Sequence, residues 1–269
     1  MRTTKADICK KYGVEYHAGH IIAPELGAVP PVLVDGNKKI GKGCFHFSML
    51  PTTGEFTFTV NGTEYTERGT CACTCKNAGG VITCYATKDK YKTPGVIASL
   101  GVKTILARRH IDFLKRAILA QVEADGVRII RVHVAGDFLS PEYVDMWREI
   151  ARECPGVVFW TYTKVAAAES AFDDVPNFNV VKSMIAGHGY NYGECGYILA
   201  LYEALQTAGK SVYICKCGMQ GERHCIDCGA CRTCDHVLFI EHGTGYNAKK
   251  DPLYPVVRAL IEAQADIEL

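Results

Sequence analysis

The chain has 269 residues, 48% of them hydrophobic and 22% charged, with 30 basic against 29 acidic side chains. This length buries a core without disulfide staples, the composition is that of a globular protein, and a formal net charge of +1 gives no global field for nucleic acid or a membrane surface. No segment is long and apolar enough to span a bilayer, and the N-terminal MRTTKADICKKYGVEY lacks an apolar signal-peptide run. The expectation is a cytoplasmic protein without a membrane partner, whose thiols stay reduced.

Residues 1–43 are rich in Gly, Pro and Lys and read as loop and turn. CFHFSML (44–50) reads as a short strand, and EFTFTVNGTEYTE (55–67) as a hairpin turning at Asn61-Gly62. A long helix is expected over about 96–124, with Ile111, Leu114, Ile118 and Val122 along one face. VRIIRVHV (127–134) is a β-branched strand. Ser140-Pro141-Glu142 then opens a helix with an N-cap residue, Pro and an early acid; Val144, Trp147, Ala151 and Cys154 mark its buried side, and Pro155-Gly156 stops it. Strands follow at 157–162, 178–185, 211–215 and 237–243, and helices at 166–172, 194–209 and 251–265. Single helices between strands imply parallel pairing with right-handed crossovers. The fold class expected is α/β: a partial (β/α) barrel of five to six βα units, with a doubly wound sheet as the other way to assemble them. The expected divisions are an N-terminal loop and hairpin extension (1–67), the partial barrel (68–214), and a cysteine-rich segment with a C-terminal helix (215–269).

Fourteen cysteines are too many for packing alone, and they are grouped. Cys71, Cys73, Cys75 and Cys84 follow the first strand region, and Cys215 and Cys217 lead into Cys225, Cys228, Cys231 and Cys234. Thiols at such spacing surround soft metals. Three thiolates on one loop, from Cys71, Cys75 and Cys84, would leave the fourth iron of a cubane open to a small molecule; a closed four-thiolate site that also uses Cys73, with iron or zinc, is the alternative. The C-x2-C-x2-C-x2-C run at Cys225–Cys234 is close to the ferredoxin spacing and suits a closed [4Fe–4S] cluster, with zinc as the alternative. His224 and His236 flank it, and Cys217 either replaces one of the four or joins Cys215 elsewhere. Cys9, Cys44, Cys154 and Cys195 read as small core hydrophobes, although Cys195, like His188, sits in a Gly- and Tyr-rich loop.

Ligands gather at the C-terminal ends of parallel strands. Cys71–Cys84, Ala135-Gly136-Asp137-Phe138, Thr163-Lys164, residues 186–195 and Cys215-Lys216-Cys217 all follow strands and so belong to one rim. Gly136 lets backbone approach a ligand, and Asp137 offers a carboxylate to an ammonium or hydroxyl group; from this stretch alone, an ordinary βα turn with a polar N-terminal residue is the better explanation.

With these residues in view, the chain resembles the radical S-adenosylmethionine enzymes. Their signature is C-x3-C-x2-C with an aromatic residue beside the last cysteine, followed about fifty residues on by Gly-Gly-Glu-Pro after the second strand. Cys71, Cys75 and Cys84, with Tyr85, take the place of that signature with six extra residues before the last cysteine, and Ala135-Gly136-Asp137-Phe138 takes the place of the second motif. CYATKDKY, RVHVAGDF, FWTYTK and the later C-x2-C run resemble more closely the phage and plasmid gene product 88 group, over roughly residues 44–242. The resemblance implies an open [4Fe–4S] cluster on the three cysteines and an auxiliary one on Cys225, Cys228, Cys231 and Cys234. It further implies S-adenosylmethionine held by Tyr85, Gly136, Asp137 and Lys164, and a reductant such as flavodoxin or ferredoxin.

The activity expected is reductive cleavage of S-adenosylmethionine and hydrogen abstraction from a substrate that no residue on the rim identifies. The alternatives are a non-radical iron–sulfur enzyme, using its open iron as a Lewis acid or for sulfur transfer, and a metal-stabilised binding protein. KDKYK (88–92), Arg108-Arg109 and Arg128 with Arg131 leave nucleic acid open as a partner of the latter.

Overall fold

The computed structural model describes residues 3–37, 40–73, 84–185, 187, 189–216, 224–241 and 247–264. The N-terminal region is more regular than its Gly and Pro content suggests. Thr4 and Asp7 form a reciprocal capping box on helix α1 (Lys5–Lys11). Strands β1 (Tyr16–His17), β2 (His20–Ala23) and β3 (Gly27–Val29) then make a small antiparallel sheet. Strands this short carry almost no period-2 signal, which is why the sequence reads there as loop.

Strands β4 (Val34–Asp35) and β5 (Cys44–Phe47) open the main sheet. The hairpin of β6 (Glu55–Val60) and β7 (Thr63–Arg68) turns at Asn61 and Gly62, both at positive φ, as a two-residue hairpin loop requires. It packs on helix α2 (Pro94–Arg109), where a Cβ at Gly101 would stand 2.1 Å from the Phe58 ring. Glu67, on β7, receives both Arg108 and Arg109. The long helix expected over 96–124 is therefore two helices, α2 and α3 (Ile111–Asp125), broken at His110. No Pro or Gly marks the break. It lies where Arg109 and His110 both turn to Glu25, at 2.7 and 3.3 Å. Ion pairs with Glu67 and Glu25 thus occupy the two arginines Arg108 and Arg109 that suggested a basic surface.

Strand β8 (Ile129–Val132), helix α4 (Pro141–Glu153), strand β9 (Val158–Thr163), the short helix α5 (Ala166–Glu169) and strand β10 (Phe178–Lys182) follow. Ser140 caps α4 through Tyr143 N at 3.2 Å. Its fully buried face is Tyr143, Met146, Trp147, Ile150 and Ala151, with Val144 and Cys154 only half-buried. The sheet order is β10-β9-β8-β5-β4, parallel from β5 to β10 and antiparallel only at β4. The small pair β11 (Met184–Ile185) and β12 (Gly189–Tyr190) leads to β13 (Tyr192–Gly193), helix α6 (Cys195–Thr207) and β14 (Val212–Ile214). The last strand, β15 (His236–Ile240), lies between β13 and β14, parallel to both. The second cysteine group rides on two single-turn helices between β14 and β15, α7 (Cys225–Cys228) and α8 (Ala230–Thr233), and α9 (Tyr254–Ala263) follows β15. The protein is thus a mixed α/β chain with several sheets, and no described helix is long and apolar enough to cross a membrane.

One core joins the N-terminal sheet, α2–α4 and one face of the main sheet; a second surrounds Trp160 with Cys215, Cys228, Cys231 and Cys234. Asn179, on β10, fastens the second cysteine group to the main sheet by donating Nδ2 to Cys231 O and Cys234 O at 2.9 and 3.1 Å. Asn191 likewise donates to Val237 O at 2.9 Å.

Candidate functional site

A cavity of about 530 Å³ opens beyond the C-terminal ends of the parallel strands. Cys71, Cys73 and Cys84 line one part of it, and Cys215, Cys225, Cys228 and Cys231 another. The Gly136-Asp137 turn, Tyr85 and Lys164 lie on the same wall system. Residues from distant parts of the chain therefore meet at one place, and 530 Å³ is the size of an ordinary small-ligand site.

The turn after β8 is built into this wall. Gly136 has φ +85, and a Cβ there would stand 2.6 Å from Thr70 Oγ1. Thr70 Oγ1 donates to Leu50 O and accepts from Asp137 N, both at 3.1 Å, so the turn is pinned to the strand preceding Cys71. The Asp137 carboxylate is buried. Its Oδ1 accepts from Thr163 Oγ1 at 2.7 Å and Phe138 N at 2.9 Å, and its Oδ2 accepts from Lys164 N at 3.0 Å. Burial pushes its pKa up against the pull of these donors. Asp137 thus ties the end of β8 to the end of β9 and keeps one acceptor position on Oδ2.

Cys71 Sγ accepts from Thr52 N at 3.2 Å. Tyr85 is 54% exposed and lines the cavity. Its hydroxyl donates to Val134 O, and its ring meets Tyr91 edge-on at 5.8 Å. Lys164 Nζ lies 5.8 Å from the centre of the Tyr190 ring.

On the other side, Tyr162 Oη and Cys231 Sγ are 2.6 Å apart. Burial raises both well above their ordinary values, and for Cys231 the neighbouring thiols Cys215 and Cys225 add to it. Cys234 is buried in the same apolar cluster but is not among the cavity-lining residues, whereas Cys215, at the end of β14, is. Cys75, Cys217 and His188 lie outside the described residues. Among the described residues, no three His, Cys, Asp or Glu side chains stand close enough to hold a metal ion as placed. Cys9, Cys44 and Cys195 are buried and Cys154 half-buried. Cys44 faces the second group, and burial and then Cys225 push its thiol up to about 11.

Two groups stand out here that the sequence reading left as background. Arg131 is only 9% exposed, with its guanidinium 4.9 Å over Trp160 and 5.1 Å over Tyr162. His133, just past the end of β8, has a positive φ of 63 and is 3% exposed, and its ring packs against Phe138 and Tyr143. Its Nε2 meets Tyr143 Oη at 2.9 Å, and burial, then Arg131, hold its pKa down to about 3. The signal available was polar residues alternating inside the β-branched run VRIIRVHV.

The family model described as Gene product 88 matches residues 31–235. Among curated proteins, the Gene 88 protein of Mycobacterium phage D29 is 35% identical over 65 residues, which is 24% of this chain and 25% of that protein. The Gene 88 protein of Mycobacterium phage L5 is 46% identical over 41 residues, 15% of this chain and 17% of its own length. These alignments span a quarter or less of the relatives' length. No solved structure matches the chain. With the family match running from the β3–β4 connection to the last of the clustered cysteines, the chain belongs to the gene product 88 family.

Proposed function

We propose that the chain is an iron–sulfur enzyme of radical S-adenosylmethionine type, with its chemistry in the cavity between the two cysteine groups. The observation that carries the reading is that thiols from residues 71–84 and 215–231 line one ligand-sized space beside the Gly136-Asp137 turn. The donor set suits the group: soft sulfur ligands, one of them accepting a backbone N–H as cluster-bound thiolates do, around a cavity that can also take a small molecule.

Cys71 and Cys84, with Cys75, would hold an open [4Fe–4S] cluster. Cys73, also on the cavity, is the competitor of Cys75. We assign the second cluster to Cys225, Cys228 and Cys231 with Cys215 or Cys234 as the fourth ligand. The first cluster, when bound and reduced by one electron, would supply the electron for reductive cleavage of the sulfonium C–S bond of S-adenosylmethionine, releasing methionine and a 5′-deoxyadenosyl radical that would take hydrogen from substrate. Asp137 offers the remaining Oδ2 acceptor position to the cofactor's ammonium group, and Lys164 offers its ammonium to the carboxylate. Gly136 lets the turn take its positive φ and close on Thr70 and Met49, which sets Asp137 at the cavity wall. The Tyr85 ring, fixed through Val134 O, walls the cavity from bulk water. The parallel order β5-β8-β9-β10, with the separate parallel sheet of β13, β15 and β14, would form an open (β/α) barrel. A flavodoxin or ferredoxin would supply electrons.

The test is anaerobic purification with counts of iron, sulfide and zinc, then reduction and addition of S-adenosylmethionine. The expected result is a changed cluster EPR signal and formation of 5′-deoxyadenosine, both lost in Cys84→Ala while the second centre remains. An unchanged signal with no 5′-deoxyadenosine overturns the radical chemistry, and zinc without sulfide overturns both clusters.

A further inference from the structure

The cavity contains a charge that the mechanism above does not use. Arg131 lies on β8, nine-tenths buried, and its side chain makes no hydrogen bond or ion pair with any described residue. Its Nε is buried without a partner. Trp160 and Tyr162 cover its faces, at 4.9 and 5.1 Å, which compensates the charge in part but leaves the in-plane N–H fork unused. A guanidinium cannot escape burial by losing its proton, so an unpaired one is costly. The carboxylate nearest in role, Asp137, is the only one lining the cavity among the described residues, and it is engaged by Thr163, Lys164 and Phe138. Lys90 and Lys164 line the same space, so the cavity walls carry three cations against one carboxylate.

A planar fork with five donors matches the paired oxygens of a carboxylate or phosphate, and thiolate sulfur cannot satisfy it in the same way. We propose that Arg131 anchors an anionic substrate, through a carboxylate or phosphate group, in the space between the two cysteine groups. The aromatic rings of Tyr85, Tyr162 and Tyr190 on the same walls suit a substrate whose remainder is a planar ring. This names the substrate class of the site proposed above and rests on that reading for the cavity being the reaction chamber. The binding of the anion itself needs no radical chemistry, which keeps the two separable.

The experiment is anaerobic equilibrium dialysis of the full-length, cluster-reconstituted protein without S-adenosylmethionine, against radiolabelled orthophosphate in one arm and radiolabelled benzoate in the other. Saturable binding of one anion per chain in at least one arm is expected, and the stronger arm tells phosphate from carboxylate. Arg131→Met is expected to weaken it about 10- to 100-fold, the scale of a charge-assisted contact, and Arg131→Lys by less, with iron and sulfide contents unchanged. Absence of saturable binding in both arms overturns the proposal, as does undiminished binding by Arg131→Met. Stoichiometric displacement of the anion by S-adenosylmethionine would assign Arg131 to the cofactor's carboxylate and overturn it too. If Arg131→Met loses its clusters, Arg131→Lys decides: intact clusters with weakened binding support the proposal, and lost iron and sulfide mean that Arg131 serves to hold the clusters, and overturn it. Anion binding without 5′-deoxyadenosine formation sinks the radical reading alone, and the converse sinks this one alone.

Discussion

Replacing Gly136 by Ala tests whether the wall of the cavity is built as described. Two costs add. A side chain at φ +85 sits in the left-handed region, at about 1–2 kcal/mol for a residue other than Gly. The new Cβ would also stand 2.6 Å from Thr70 Oγ1 and 3.0 Å from Met49 Cβ, so Thr70 must turn away. That breaks the bonds from Thr70 Oγ1 to Leu50 O and from Asp137 N to Thr70 Oγ1, worth about 1 kcal/mol each. The expected loss is about 3–4 kcal/mol, a fall in melting temperature of roughly 10 °C. Anaerobic urea unfolding should show a lowered midpoint at unchanged slope. Thr70→Ala alone should cost about 2 kcal/mol, and the double variant should fall short of the sum by nearly that amount, because both lose the same two bonds. Strict additivity, or a Gly136→Ala effect below about 0.5 kcal/mol, the scale of an indifferent surface change, would refute the reasoning.

Cys215→Ala is expected to remove the iron and sulfide of the second centre while Cys234→Ala keeps them, because Cys215 and not Cys234 lines the cavity; the opposite outcome in metal and sulfide counts restores the four-cysteine run as the ligand set. His133 titrates at about 3 in the fold against an ordinary 6.5, so between those values the unfolded chain binds the extra proton. Its stabilising contribution is therefore full above pH 6.5 and lost as pH falls toward 3, at up to about 1.4 kcal/mol per unit. His133→Asn, whose side chain tolerates the positive φ, should flatten the stability profile between pH 4 and 6.5 relative to wild type, and parallel profiles would contradict it. Asn179→Ala should loosen the second cysteine group, which hangs on its two bonds to Cys231 O and Cys234 O; hydrogen exchange over 225–234 should rise while that over β8 stays unchanged.

Much of the parallel sheet was legible because β-branched runs and capped helices alternate along the chain. VRIIRVHV, Ser140-Pro141-Glu142 and the Asn61-Gly62 turn each carry a local physical reason for their structure. The break at His110 was not legible, since Glu25, the group that meets it, lies far away in sequence. The same limit applied to Arg131. In a strand a lone Arg reads as an exposed residue, and only the neighbouring β9, carrying Trp160 and Tyr162, makes it a buried cation. Asp137 was legible as a polar residue at a strand end, but its three bonds to Phe138, Thr163 and Lys164 depend on the β8–β9 register.

That register also bears on how the two cysteine groups relate. By sequence they divide into an open, catalytic set of three thiolates and a closed, supporting run of four. In space β8 lies beside β9, β9 beside β10, and Asn179 on β10 carries the loop that holds Cys231 and Cys234. Cys231 meets Tyr162, and Tyr162 covers the guanidinium of Arg131, so a thiol of the second set and the unpaired cation share one wall. A centre serving only as an electron relay gains nothing from facing the chamber, since electrons need proximity and not contact with substrate. On the proposed function, a centre beside Arg131 would be positioned to touch the anion that Arg131 holds. On that reading, the second cysteine group would therefore form part of the substrate wall and not a remote support.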